Sequence, residues 1–114
     1  VALTGSAMHT AAKKLGLRLA REGFADRQYE DDGNLASRSI PGTVIKDPAT
    51  ACAQAIRMVR DGELISRHGK VIPVQVETLC VHGDESTGVA VAREVRKGLE
   101  AEGIAVVTLP EMLN

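Results

Sequence analysis

The fold is decided by a stretch in the second half of the chain, Glu77-Thr78-Leu79-Cys80-Val81-His82-Gly83-Asp84. Its apolar run, 79–81, is typical of a strand in a sheet that is covered on both faces. The run stops at His-Gly-Asp, and a helical pattern begins at Ser86 or Thr87. In strand–loop–helix units the loop after the strand collects ligands and catalytic groups, so the stretch also predicts a site.

The His-Gly-Asp segment has two interpretations. Asp84 could cap the following helix with its carboxylate, and Gly83 could simply make the turn. A capping role does not exclude a ligand role. His82 is more informative, because a turn has no structural need for an imidazole. We therefore treat His82 and Asp84 as candidate functional residues.

The composition is that of an ordinary globular domain, with 114 residues, 44% hydrophobic, 25% charged and a net charge of -1. This length suffices for one small domain. The charges are mixed and the only aromatic residues are Phe24 and Tyr29. Neither a basic surface nor base-stacking platforms are predicted, so we expect no nucleic acid and no membrane partner.

The two cysteines indicate the cellular compartment of the protein. Cys52 and Cys80 each fall within an apolar pattern, which predicts buried free thiols, a reducing compartment and hence the cytoplasm. The sequence contains no apolar run of membrane length.

The sequence opens with Val1-Ala2-Leu3, directly in a predicted strand and without an initiator Met. We therefore expect the chain to be part of a longer polypeptide.

Strands and helices alternate along the sequence. Strands are predicted at 1–3, 17–20, 77–81 and 104–109, and a separate hairpin at 64–74 turns at His68-Gly69. Three amphipathic helices are predicted between them, each with a buried stripe and a start or stop signal at its ends. The predicted stripe is Met8, Ala11, Ala12 and Leu15 in the first helix, Cys52, Ala55, Ile56 and Val59 in the second, and Val91, Ala92, Val95 and Leu99 in the third. In the second helix, Gln54 is predicted to face water.

This order predicts an α/β fold with mainly parallel strands. The loops after parallel strands emerge on one side of the sheet, so 4–6, 22–27 and 82–84 should converge. They would gather carboxylates, an imidazole and a guanidinium, a set suited to proton transfer and to binding an anionic group. The sequence contains no Gly-rich phosphate loop, no dinucleotide fingerprint and no zinc-binding pattern.

Several stretches together resemble a known family. They are Glu22-Gly23-Phe24-Ala25-Asp26-Arg27, Ser37-Arg38, Pro41-Gly42, Asp47-Pro48 and Leu79-Cys80-Val81-His82-Gly83-Asp84. In this order and at this separation they resemble the LamB/YcsF family, whose members form one subunit, named A, of the bacterial ATP-dependent 5-oxoprolinase. The resemblance implies part of a (β/α) barrel of the glycoside hydrolase/deacetylase type. Residues 1–114 would be a single domain segment, the C-terminal half of a longer barrel.

The resemblance also implies an activity, cofactors and partners. The activity is opening of the 5-oxoproline lactam to glutamate with coupled ATP hydrolysis, and the cofactors are ATP and Mg²⁺. The partners are the B and C subunits of the 5-oxoprolinase complex and the N-terminal half of the same barrel, whose motifs this sequence lacks. We expect this segment to be inactive by itself.

The same resemblance suggests roles for six residues without separating them. Arg27 or Arg38 would hold a phosphate or the substrate carboxylate. Protons, or Mg²⁺, would be handled by His82, Asp84, Glu22 and Asp26. Metal ligands of the protein itself stay unidentified.

Two other functions are compatible with these residues. The first is a metal-dependent amide hydrolase or deacetylase of the same barrel class, with further ligands outside this chain. The second is a non-catalytic assembly subunit whose barrel mouth docks a partner enzyme. ATP consumption that depends on 5-oxoproline separates a 5-oxoprolinase from both alternatives.

Overall fold

The computed structural model describes residues 1–83 and 86–113. Asp84, one of the candidate residues, therefore lies outside the described residues. The first elements are β1 (Ala2–Leu3), α1 (Ala7–Lys14) and β2 (Arg21–Phe24). Next come α2 (Pro48–Ile56), continued by a π-helical turn (Arg57–Asp61), and the hairpin strands β3 (Glu63–Ile65) and β4 (Val71–Pro73). The last elements are β5 (Thr78–Cys80), α3 (Gly88–Ala101) and α4 (Leu109–Leu113).

Three of the strands form one parallel sheet in the order β1-β2-β5. Glu22 in β2 pairs with Leu3 on one side and with Thr78 on the other, and Phe24 pairs with Cys80. The predicted α/β class with mainly parallel strands is confirmed. The predicted hairpin is confirmed too, since β3 and β4 pair antiparallel in a separate sheet.

The two faces of this sheet differ. Side chains alternate along a strand and paired residues share a face, so Glu22, Thr78 and Cys80 lie on one face and Gly23 on the other. The Gly23 face is tightly packed, because a Cβ atom at Gly23 would come 3.0 Å from side-chain atoms of Met58 and of Val76. The polar side chains of Glu22 and Thr78 thus occupy the opposite face.

The main core lies between α2 and α3. It consists of eight buried residues, Ala25, Ile45, Ala51, Cys52, Ala55, Val91, Val95 and Leu99. A second cluster under the hairpin contains Tyr29, Met58, Leu64 and Val76. Both clusters contact Leu79 of β5. The apolar strand of the decisive stretch therefore joins the two cores.

Side-chain caps mark the starts of the first two helices. Ser6 caps α1 by accepting a hydrogen bond from the backbone N–H of His9, and Asp47 caps α2 by accepting one from Thr50. The π-helical turn after α2 ends at Gly62, whose φ of 68° lies in the left-handed region that glycine adopts without strain.

The second predicted strand was placed too early. Leu17 is not in a strand, because its N–H is hydrogen-bonded to the carbonyl of Ala12 and closes the end of α1. Pairing with β1 starts only at Arg21, opposite Ala2. Glu22 is consequently a strand residue and not part of the following loop.

The predicted strand at 104–109 is wrong. Residues 104–108 have no regular secondary structure, and α4 follows. The N–H of Ile104 bonds to the carbonyl of Leu99 at the end of α3, and no described strand pairs with this segment. The hydroxyl of Thr108 donates to the carboxylate of Glu111, a contact between side chains at the start of α4. An apolar run forms a strand only where another strand supplies its backbone hydrogen-bond partners, and the described residues supply none here.

The predicted buried face of α1 is exposed. Met8 is 68% and Leu15 is 74% exposed, and α1 contains no buried residue. In α3, by contrast, Val91, Val95 and Leu99 are buried as predicted, and only Ala92 is exposed. Helix α1 therefore carries an apolar surface that the described residues leave open. None of the described helices is both long and apolar enough to cross a membrane.

Candidate functional site

Asp26 and His82 are joined by two hydrogen bonds at the carboxyl ends of β2 and β5. Oδ2 of Asp26 accepts the backbone N–H of His82 at 2.7 Å, and Oδ1 lies 2.8 Å from the imidazole Nδ1. Asp26 is 2% exposed, whereas the His82 side chain is 16% exposed. A buried carboxylate thus orients a histidine that still reaches the surface.

This pairing determines what the imidazole can do. A carboxylate only accepts hydrogen bonds, so Nδ1 of His82 carries the proton and Nε2 of the neutral ring keeps its lone pair. Among the described residues, Nε2 has no hydrogen-bond partner. The ring can therefore accept a proton at Nε2, and Asp26 would stabilise the positive charge that results.

Both sides of His82 are fixed by neighbouring elements. The ring of Phe24, the last residue of β2, lies 5.4 Å from the imidazole between centroids. The first residue of α3, Gly88, lies directly against the backbone: a Cβ atom there would be 2.5 Å from the His82 carbonyl oxygen. The end of β2 and the start of α3 thereby hold the histidine at the sheet edge.

The turn that carries Asp26 is held by a residue predicted to face water. Nε2 of Gln54, in α2, donates to the carbonyl oxygens of Phe24 at 2.9 Å and of Arg27 at 2.8 Å, and lies 3.4 Å from that of Ala25. Gln54 is half-buried, not solvated as predicted. The sequence contains a signal for it, since Gln54 lies three residues after Ala51 and four before Met58, both buried.

Arg27 lies beneath this turn. The residue is 8% exposed, its Nη2 donates to the carbonyl of Ala36 at 2.7 Å, and its Nε has no partner among the described residues. The backbone of Arg27 also bridges to Val44. Arg27 therefore fastens the 35–45 segment to the turn that carries Asp26.

Glu22 and Arg38 lie close enough to influence the same region. The pKa of the Cys80 thiol is raised, first by burial and then by the negative charges of Glu22 and Asp26, while the positive charges of Arg27 and Arg38 oppose the rise. Glu22 is half-buried on the strand and Arg38 is exposed on the 35–45 segment. Asp26, Arg27 and His82 thus lie at the ends of β2 and β5, Glu22 lies within β2, and Arg38 is near enough for its charge to act on Cys80. The sixth predicted residue is Asp84.

Besides Gln54, Tyr29 is a residue near the site whose role the sequence did not predict. It is 1% exposed, and its hydroxyl oxygen accepts the backbone N–H of Phe24 at 2.8 Å. Burial raises the pKa of Tyr29 to about 12. The phenol therefore satisfies the donor at the point where β2 ends and the turn begins.

The donor set limits metal binding. Within residues 1–83 and 86–113 no three His, Cys, Asp or Glu side chains are grouped so that they could hold a metal ion. The Asp26–His82 pair alone supplies too few ligands for a protein-bound cation.

Fold and site together define an α/β chain with a carboxylate–histidine pair at the carboxyl edge of a parallel sheet. Comparison with known families is more specific, because the family model described as "LamB/YcsF family" matches residues 1–114. The chain belongs to the LamB/YcsF family.

Curated relatives agree with this assignment. The chain is 49% identical over 106 residues to a protein of Rhodopseudomonas palustris that is named as the A subunit of 5-oxoprolinase, covering 93% of this chain and 42% of the relative. A protein of Methylococcus capsulatus with the same name is 50% identical over 110 residues, covering 96% of this chain and 42% of the relative. The chain thus spans about two fifths of the length of these relatives.

A solved structure has a similar fold. It is the crystal structure of a lactam utilization protein from Thermus thermophilus, and it superposes with a TM-score of 0.79 at 40% sequence identity. The match covers 90% of this chain and 40% of that chain.

Proposed function

We propose that this chain is part of the A subunit of a 5-oxoprolinase, which opens the 5-oxoproline lactam to glutamate with coupled ATP hydrolysis. The observation that carries the proposal is the Asp26–His82 pair, a proton-accepting group positioned at the carboxyl edge of the sheet. The relatives are named as the A subunit of 5-oxoprolinase, and the chain belongs to their family. The coupling to ATP is part of the proposal. The two free cysteines fit the proposed cytoplasmic location.

We further propose that residues 1–114 are one segment of a (β/α) barrel of the glycoside hydrolase/deacetylase type. The described sheet has three parallel strands, and β1 and β5 each have a partner on one side only. Helix α1 presents Met8 and Leu15 to its surroundings. In this proposal the N-terminal half of the same protein supplies the neighbouring strands and covers these side chains.

The proposed chemistry assigns a task to each charged group. ATP would supply the phosphoryl group that activates the lactam carbonyl: water adds to the phosphorylated carbon, the ring C–N bond breaks as the nitrogen takes up a proton, and the resulting acyl phosphate is hydrolysed to glutamate and phosphate. His82 accepts the proton of the attacking water at Nε2, and Asp26 holds the ring in place and balances its charge. Arg38, which is exposed and whose charge acts on Cys80, binds a phosphate or the substrate carboxylate.

The remaining groups have supporting tasks. Arg27 is buried and holds the carbonyl of Ala36, so we assign it to shaping the site and to adding positive charge beneath it. Glu22 faces the same side of the sheet as Cys80 and is available as a second proton acceptor. Mg²⁺ would enter with the phosphates of ATP, since the described residues offer no set of three ligands. The B and C subunits would complete the complex.

The test is 5-oxoproline-dependent ATP hydrolysis by the full-length protein with its partner subunits. His82→Gln should lower the rate roughly a hundredfold or more if the imidazole transfers a proton, whereas melting temperature should hardly change. His68→Gln is the matched control, because His68 lies exposed at the turn of the hairpin. Equal rates in the two variants would contradict the role of His82. Absence of 5-oxoproline-dependent hydrolysis in the parent complex would contradict the proposed reaction.

One observation also favours the metal-dependent amide hydrolase. A histidine whose Nδ1 is held by a carboxylate presents Nε2 as metal-ligating histidines commonly do. The further ligands would have to come from outside the described residues. Inhibition by chelators that excess Mg²⁺ does not relieve, together with amide hydrolysis without ATP, would support this function over the first.

A further inference from the structure

The turn between β2 and the 35–45 segment has an unusual anchor. One side-chain amide, that of Gln54, reaches the carbonyl oxygens of both Phe24 and Arg27. These two carbonyls bracket the two residues of the turn, Ala25 and Asp26. Since carbonyl oxygens only accept, the amide nitrogen must face them, and its two N–H groups match the two short contacts.

The same turn is tied on its other sides by backbone hydrogen bonds. The N–H of Ala25 donates to the carbonyl of Cys80 in β5 at 3.1 Å, and the carbonyl of Asp26 accepts the N–H of Ile45 at 2.7 Å. Gln54 supplies the connection to α2. The carboxylate of Asp26 is therefore held between the sheet, the 35–45 segment and the helix.

We propose that Gln54 is a positioning residue for the reaction, acting on His82 through the turn that carries Asp26. This inference rests on the proposed function for its kinetic consequence but not for its structural one. Asp26 determines both the ring orientation and the tautomer of His82, so displacement of the turn moves the proton-accepting atom. Loss of the Gln54 amide leaves two carbonyls without their donor, and the turn then shifts to find other partners.

The experiment replaces Gln54 with Met, which preserves length and volume but removes both donors, in the full-length protein with its partner subunits. Gln75→Met is the matched control, because Gln75 is exposed and its side chain is hydrogen-bonded only to Arg21 among the described residues. We expect Gln54→Met to lower kcat about tenfold or more, as small misplacements of catalytic groups do, with little change in KM. The control should retain the parent kcat.

The second measurement follows the tautomer of His82 directly, by nitrogen NMR of histidine-labelled protein, with signals assigned through His82→Gln. The parent should show the Nδ1–H tautomer, and Gln54→Met should move the population toward Nε2–H. If Gln54→Met does not fold, Gln54→Asn replaces it, since Asn keeps the amide but is one methylene too short to reach both carbonyls.

The outcomes separate this inference from the proposed function. If Gln54→Met lowers kcat but leaves the His82 tautomer unchanged, Gln54 acts by another route and the inference is overturned. A kcat of Gln54→Met equal to that of Gln75→Met would also overturn it. A tautomer shift in a complex without 5-oxoproline-dependent hydrolysis would support the inference and reject the proposed reaction. Lower stability with unchanged kcat and tautomer would assign Gln54 a merely structural role.

Discussion

Asp26 binds His82 twice, once at the backbone N–H and once at the imidazole, across 56 residues of sequence. One carboxylate thus fixes both where the histidine lies and which of its nitrogens carries the proton. Because Asp26 is buried, water does not compete for these two hydrogen bonds.

Replacing Asp26 with Asn tests this double contact. The amide has nearly the same shape but only one accepting oxygen, so it either releases the backbone N–H or turns its own N–H group toward Nδ1. In the second arrangement His82 takes the opposite tautomer and Nε2 can no longer accept a proton. We expect the rate of 5-oxoproline-dependent ATP hydrolysis to fall by about 10²–10⁴.

The matched control is Asp61→Asn, because Asp61 pairs with Arg60 at the surface. That variant should keep the parent rate. A rate for Asp26→Asn within a factor of about three of the parent, with both variants folded, would mean that the carboxylate is not needed to orient His82.

Gly98 allows α3 to approach α2 closely. A Cβ atom at Gly98 would overlap with Sγ of Cys52, so Gly98→Ala must push the helices apart or displace the thiol. We expect the free energy of unfolding to fall by about 1–3 kcal/mol, the usual cost of overpacking a core. Urea titration of the full-length protein measures it.

A double-mutant cycle identifies the cause of that loss. Cys52→Ala removes the sulfur atom that the new methyl group would meet. Gly98→Ala should therefore cost clearly less in the Cys52→Ala background than in the parent. Strictly additive effects would show that the contact with Cys52 is not the reason for the destabilisation.

The pKa of Tyr29, raised to about 12 by burial, predicts weaker folding in alkali. In the unfolded chain the phenol loses its proton near its ordinary pKa of about 10, whereas the folded protein still holds it. The unfolded state therefore binds fewer protons between these two values. The stability that Tyr29 contributes is complete below pH 10 and decreases as the pH rises towards 12.

Unfolding titrations at several pH values between 8 and 12 measure this decrease. Tyr29→Phe is the comparison, since it keeps the ring but removes the ionisable hydroxyl. Although Phe at position 29 loses the hydrogen bond to Phe24, its stability should decline less steeply in this range. Parallel curves for parent and variant would contradict the raised pKa.

Residues 1–114 produced alone should associate instead of forming a stable monomer. Met8 of α1 and Leu15 just after it are exposed, as are Val106 and Val107 after α3. Among the described residues, both outer strands of the sheet also lack a partner on one edge. Light scattering and thermal melts of the isolated segment provide the check. A sharp melt from a monomer would count decisively against this expectation.

A pair of substitutions shows whether the α1 face is covered in the whole protein. Met8→Gln with Leu15→Gln should increase the monomer fraction of the isolated segment by removing exposed apolar area. In the full-length protein the same change should lower stability, because glutamine would then be buried against the neighbouring half. Unchanged stability of the full-length protein would mean that this face stays in water.

The sequence by itself determined the features that depend on neighbouring residues. Asp47 followed by Pro48 marks the start of α2 through a cap and a fixed backbone angle, and the alternation of strands and helices predicts a parallel sheet. The end of an apolar strand followed by His82 indicates the edge where the site lies. Each element is signalled by residues close together in sequence, and the order of the elements then predicts the class of the fold.

Only the tertiary structure decided which residues meet. The backbone N–H of Leu17 is hydrogen-bonded at the end of α1, so strand β2 begins only at Arg21. The pairing of β2 with β1, and not a local preference, therefore places Glu22 in the sheet. Gln54 was predicted to face water because its own side chain is polar, but carbonyls of the distant turn give it partners. The Asp26–His82 contact requires β2 and β5 to be neighbours, a pairing set by packing across the whole chain.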